Sequence, residues 1–242
     1  MLGLGTIINC ASIVVGGCIG LLLKNLFSES MQDSLKKACG VSVMFISVAG
    51  AMEVMLKISD GVLVSEKSLL IVLSMTVGTF IGEAIDIDRG FTNFGEWLKV
   101  KTGNKGDSNF INAFLIASFT VSIGAMAIVG AIEDGINGNI SILVVKSVLD
   151  FIMIAVLSAS IGKGAIYSAI PVFVFEGTVT LLSRFIAPVL TETAINYISL
   201  VGSILIFCVG INLIWDNKVK VANMLPTLAI AVLFAYLNIN LL

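Results

Sequence analysis

The sequence predicts an all-α fold, a polytopic transmembrane bundle of about eight helices. Only 12% of its 242 residues are charged and 57% are hydrophobic, whereas soluble domains carry about 25% charged residues. The mean hydropathy is +1.06. The apolar residues come in long blocks without strand-like alternation, each of the length a helix needs to cross a bilayer. Such a helix satisfies its own backbone hydrogen bonds where no water can. A single transmembrane domain is expected over residues 1–242.

The first span, about 3–23, has no basic residue before it, and Lys24 is the first charge. An ordinary cleaved signal peptide needs a basic start, so this segment is read as a retained helix. Spans two and three fall at about 38–56 and 69–86. Residues 87–109, IDRGFTNFGEWLKVKTGNKGDSN, read as a cytoplasmic loop. Within it Phe91, Phe94, Trp97 and Leu98 form a short amphipathic stretch expected at the membrane surface. Five further spans follow at about 110–132, 141–161, 165–187, 195–214 and 222–241. The last opens on Asn223 as a cap and Pro226 in its first turn.

Basic residues orient the bundle. Loops after odd-numbered spans hold Lys24, Lys36, Lys37, Arg89, Lys99, Lys101, Lys105, Lys163, Lys218 and Lys220; loops after even ones hold only Lys57, Lys67 and Arg184. Cytoplasmic loops carry the excess of Lys and Arg, so both termini are expected outside the cytoplasmic membrane of a bacterium. Span one carries Ser12, Gly16, Ile19 and Gly20, and span three repeats the pattern with Ser74, Gly78, Ile81 and Gly82. This fits either a duplicated hairpin or small residues where helices pack closely.

Composition excludes several functions. With no histidine, histidine-ligated metals, Ser-His-Asp triads and histidine proton relays are absent. Cys10, Cys18, Cys39 and Cys208 share no ligand spacing and read as packing residues. No metal site or cofactor is expected, and no enzyme. No basic tract suits nucleic acid, and no nucleotide-binding motif suits a primary pump. The expected partners are membrane lipid and a small solute or ion, and the small-residue faces leave room for a homo-oligomer.

Charge inside a span costs about 2.5–3.5 kcal/mol on insertion scales, so each instance asks for a reason. Lys146 and Asp150 stand four residues apart on one face of span five. Their order opposes the helix dipole, which makes them poor as a helix-stabilising pair. Glu176 lies near the middle of span six, between Pro171 and Gly177, where a locally loosened helix could line a cavity. Glu133 and Asp134 sit at the outer end of span four, in a glycine-rich turn suited either to attract cations or to cap a helix. Asn9 and Glu53 are lesser candidates, and Glu83, Asp86 and Asp88 read as interface charges.

The motifs GTIIN-x-x-x-I-x-x-GG-x-IG (5–20), GAMAIVGAIEDG (124–135), KS-x-LD (146–150) and ANMLP (222–226) resemble the YqgA/YdfK-like family of bacterial membrane proteins, domain of unknown function 554. The resemblance runs over essentially the whole chain. It implies an inner-membrane protein of transporter type and supplies no substrate. The family motif often reads Gln-Asp-Gly where this chain has Glu133-Asp134-Gly135, so a role needing a neutral amide at 133 does not carry over.

The residues point to a secondary transporter of a small solute or ion, coupled to protons or sodium. Asp150 and Glu176 would be the coupling sites, with Lys146 as their partner or an anion contact. The alternatives are a passive oligomeric ion channel with Glu133 and Asp134 at its mouth, and a non-transporting scaffold or sensor subunit.

Overall fold

The computed structural model describes residues 3–24, 26, 28–59, 61–123, 125–188, 190–215 and 218–237. Among these, six helices are long and apolar enough to cross a membrane, and one bent pair passes the same test only when its two halves are taken together. The chain is an all-α polytopic bundle. Its surface is apolar: Phe45 and Phe80 are each 75% exposed. Rings that open to the outside fit lipid as solvent and do not fit water.

α1 (Leu4–Lys24) and α2 (Glu29–Met55) form the first pair. The second helix starts at Glu29, well before the expected 38. Ser28 caps it by accepting the Met31 N–H at 3.3 Å, and Asp33 pairs with Lys37 one turn on at 2.6 Å. The early turns are therefore helical although too polar to be read as a span. β1 (Leu56–Ser59) and β2 (Val62–Ser65) then form an antiparallel hairpin. α3 (Ser68–Ile85) descends from it.

The expected loop at 87–109 is largely a helix, α4 (Ile87–Lys101). Its amphipathic face docks on the protein. Phe91 meets Phe119 with centroids 5.2 Å apart, Phe94 meets Phe114 at 5.9 Å, and Leu98 is buried. Trp97 stays exposed and stacks on Phe94.

The expected continuous helix over 110–132 is broken. α5 (Phe110–Ser122) and α6 (Ala125–Asn137) meet at 61°. α7 (Ser141–Ser160) leads through a 3-10 segment (Lys163–Ser168) into α8 (Ala169–Leu181) and the short α9 (Ser183–Ile186). α8 is continuous through Glu176, contrary to the loosened helix expected there. Pro171 stands in its first turn, where a missing N–H costs nothing. α10 (Glu192–Trp215) precedes α11 (Val221–Met224) and α12 (Pro226–Leu237), which split the expected last span at Leu225. Residues 238–241 of that expectation lie outside the described residues.

Close contacts fix the helix directions. Gly5 of α1 meets Leu143 of α7, Gly16 meets Phe151 and Gly20 meets Ala155, so α1 and α7 run the same way. Gly78 and Gly82 of α3 meet Thr227 and Asn223 in reversed order, so α3 and the α11–α12 segment run oppositely. Gly40 and Gly50 of α2 meet Gly210 and Ser203, also reversed. A parallel α1 and α7 requires α5 and α6 together to reverse the chain once. A re-entrant loop would leave α7 antiparallel. The Ser12 and Ser74 motifs thus serve the same purpose, backbone-to-backbone approach, against partners of opposite direction.

Candidate functional site

Four of the residues singled out in the sequence converge. Asn9 comes from α1, Lys146 and Asp150 from α7, and Glu176 from α8, and all four are buried. Lys146 Nζ donates to Asp150 Oδ2 and lies 3.6 Å from Glu176 Oε1. Asn9 Nδ2 donates to that same oxygen at 2.9 Å. Asp150 is halfway along the 20-residue α7, so the cluster sits deep in the bundle.

A fifth member has no side-chain signal. Lys146 Nζ donates to the main-chain carbonyl of Val121 at 2.6 Å. In an unbroken helix that carbonyl would accept from residue 125. The bend between α5 and α6 frees it, and the last carbonyls of a helix carry its negative dipole end. The ammonium therefore caps α5. This answers the dipole objection to the Lys146–Asp150 order: Lys146 is poorly placed on its own helix and well placed on its neighbour's. Irregular backbone at membrane depth is tolerated where it is buried in protein or lines a cavity.

A half-open cavity of about 340 Å³ lies between α1 and α8, lined in part by Gly3, Thr6, Phe173, Gly177 and Thr180, and none of the four cluster residues lines it. Thr6 and Thr180 form part of its wall, where their buried hydroxyls share a hydrogen bond at 3.4 Å. Thr6 is three residues before Asn9 and Thr180 four after Glu176, so each shares a helix face with a cluster residue. The sequence reading missed both threonines, though that spacing was there to be found.

The remaining candidates lie elsewhere. Asp134 is fully buried and accepts from the Gly3 and Gly5 N–H groups at 3.2 and 2.9 Å. It caps α1 from α6, and a carboxylate at a helix N-terminus is stabilising. Glu133 points away and accepts from Asn137 at 2.9 Å on an exposed face. Glu53 is exposed near the end of α2, beside the hairpin. The four cysteines are free thiols.

A family model described as Protein of unknown function (DUF554) matches residues 4–236. The chain belongs to the DUF554 family. This DUF554 chain is similar to the uncharacterized membrane protein YdfK of Bacillus subtilis (strain 168), 27% identical over 227 residues, with 93% of each chain covered. It is also similar to the uncharacterized protein YqgA of Escherichia coli (strain K12), 25% identical over 237 residues, with 94% of each covered. No solved structure matches the DUF554 chain.

Proposed function

We propose that this membrane protein is a secondary transporter of a small solute or ion, driven by a proton or sodium gradient across a bacterial inner membrane. One observation carries the reading: two carboxylates and one ammonium are buried together at a helix break. Buried charges at membrane depth are expensive and are kept where they bind or move ions. Broken helices at mid-depth supply the carbonyls and dipole ends that transporters use. In this reading solute enters the α1–α8 cavity past Thr6 and Thr180, and the Asp150–Lys146–Glu176 cluster couples its passage to the ion. Both termini face outward, from the excess of lysine and arginine in the loops after odd-numbered spans.

The test is a proteoliposome uptake screen over small solutes, with and without imposed proton and sodium gradients. Gradient-dependent accumulation of a solute supports the carrier. Ion currents without saturable uptake would replace it by the channel. A reconstituted protein with neither, whose loss destabilises a partner membrane protein, would replace it by the scaffold.

A further inference from the structure

Two oxygens in the cluster have no partner: Glu176 Oε2 and Asn9 Oδ1. Their residues are fully buried, both at 0% exposure. They are already joined through their other polar atoms, Asn9 Nδ2 to Glu176 Oε1. A carboxylate oxygen and an amide oxygen are both acceptors, so neither satisfies the other. The charges do not balance either. Lys146 brings one positive charge, and Asp150 and Glu176 bring two negative ones. An uncompensated buried charge is strongly unfavourable.

We propose that the missing charge is a proton on Glu176 Oε2, donated in a hydrogen bond to Asn9 Oδ1. One proton then satisfies both orphaned oxygens and neutralises the cluster. Acid and amide pair through two hydrogen bonds, N–H to Oε1 and O–H to Oδ1. A sodium ion fits less well. It would find two unclaimed oxygens with the Lys146 ammonium 3.6 Å from the same carboxyl group. Among the described residues no three acidic or cysteine side chains gather to hold a metal. The groups facing Glu176 are Asn9 from α1, and Lys146 and Asp150 from α7; the Cys10 thiol of α1 also packs on α8, donating to the Ala169 carbonyl at 3.6 Å. α5 carries no titratable side chain. On α6, Asp134 is held by the α1 N-terminus and Glu133 by Asn137. Lys163 and Arg184 lie in the segments flanking α8.

The proton also changes what α8 is tied to. Ionised, Glu176 is drawn to Lys146 on α7. Protonated, it loses that attraction and gains a second bond to Asn9 on α1. Lys146 keeps Asp150 and the Val121 carbonyl. The inference deepens the carrier reading, on which it rests, by naming the coupling ion as a proton and the α1–α8 seam, where the cavity lies, as the part that responds.

Infrared difference spectroscopy of the purified full chain, titrated with acid, reads the carboxylic acid carbonyl band without needing flux. The expected result is a band that is lost in Glu176→Gln and shifted to higher frequency in Asn9→Leu, where the acid loses its acceptor. Replacing potassium by sodium at constant pH should leave it in place. A band that persists in Glu176→Gln, fails to move in Asn9→Leu, or is removed by sodium overturns the proposal. Should Asn9→Leu not fold, isotope-labelled asparagine in the wild-type chain reports the same contact. Its amide band should move with the acid band, and an amide band that stays still overturns the pairing. An acid that titrates in a protein without uptake removes the carrier and keeps the proton site. Sodium-driven uptake without a Glu176 acid does the reverse.

Discussion

Lys146, paired with Asp150 one turn along α7, ties that helix to α5 by a carbonyl and to α8 by Glu176. Removing one member of a buried ion pair costs about 3–5 kcal/mol, because the other is left charged and dry. Lys146→Met and Asp150→Leu should each lower the folded fraction after heating in detergent, and the double variant should recover a large part of the loss. Strictly additive losses would mean the two side chains stabilise the protein separately. Asp134 acts on a smaller scale. Asp134→Ala should lower stability by about 0.5–2 kcal/mol, the range for a lost helix cap, and Asp134→Asn should lose less than the alanine variant. An Asp134→Ala protein with unchanged melting would show that the α1 N-terminus does not depend on it. The sequence made the Lys146–Asp150 contact legible because its partners are one turn apart on one helix. Asp134 reaches across 129 residues to Gly5, a distance over which spacing says nothing. The Val121 carbonyl was out of reach altogether, since every residue has a carbonyl and only a break frees one.

At the scale of elements, the sequence located the apolar segments and misjudged their interruptions. Pro171 drew attention to α8, yet a proline in a first turn begins a helix and does not break it. The true break falls between the end of α5 at Ser122 and the start of α6 at Ala125, in a stretch whose hydropathy gives no warning. The hairpin was legible and passed over: Asp60-Gly61 between Leu56–Ser59 and Val62–Ser65 is a strong short-range hairpin signal, and Gly61 has φ +77°. The glycine stripes were read as close packing, and the contacts give that packing its partners. At Gly82 the α3 backbone lies so near the Asn223 carbonyl that no Cβ fits, whereas nothing lies within 4 Å of a Cβ on Gly90. Gly82→Ala should therefore cost about 1–3 kcal/mol, as overpacking does. Gly90→Ala, inside α4, should be neutral or stabilising by up to about 1 kcal/mol, from helix propensity. Equal melting temperatures for the two variants would refute the close approach of α3 and α11.

For the whole molecule, the paired directions of α1 with α7, α2 with α10 and α3 with α12 hold together if α5 and α6 cross as one unit and the shorter apolar α11–α12 segment makes an eighth crossing. The start of α1 and the end of α12 then share one side, and in the proposed orientation, which rests on the lysine and arginine count, that side is the exterior. Cysteines placed at positions 1 and 242, in a background with Cys10, Cys18, Cys39 and Cys208 replaced, should both react with an impermeant thiol reagent on intact cells. Labelling of one end alone would remove a crossing, and labelling of neither would invert the bundle. Composition sufficed for the architecture, because a chain this apolar has few alternatives to a helical bundle in lipid. The assembly of the cluster was not legible in the same way. Asn9 and Glu176 are 167 residues apart, and their meeting depends on α1 and α8 becoming neighbours.

The bend between α5 and α6 also bears on how the chain is made. Each half has 13 residues, about 20 Å by helix rise, which is short of the roughly 30 Å hydrocarbon core. Neither half can cross alone, so the two must enter the bilayer as one unit. The ammonium that meets the open carbonyl at the bend belongs to α7 and leaves the ribosome later. A nascent chain ending after Asn139 therefore carries its span with the kink unmet, and one ending after Ser160 carries the cap with it. The fourth crossing should become settled in the membrane only when its successor arrives, which makes α7 a folding template for the segment that precedes it.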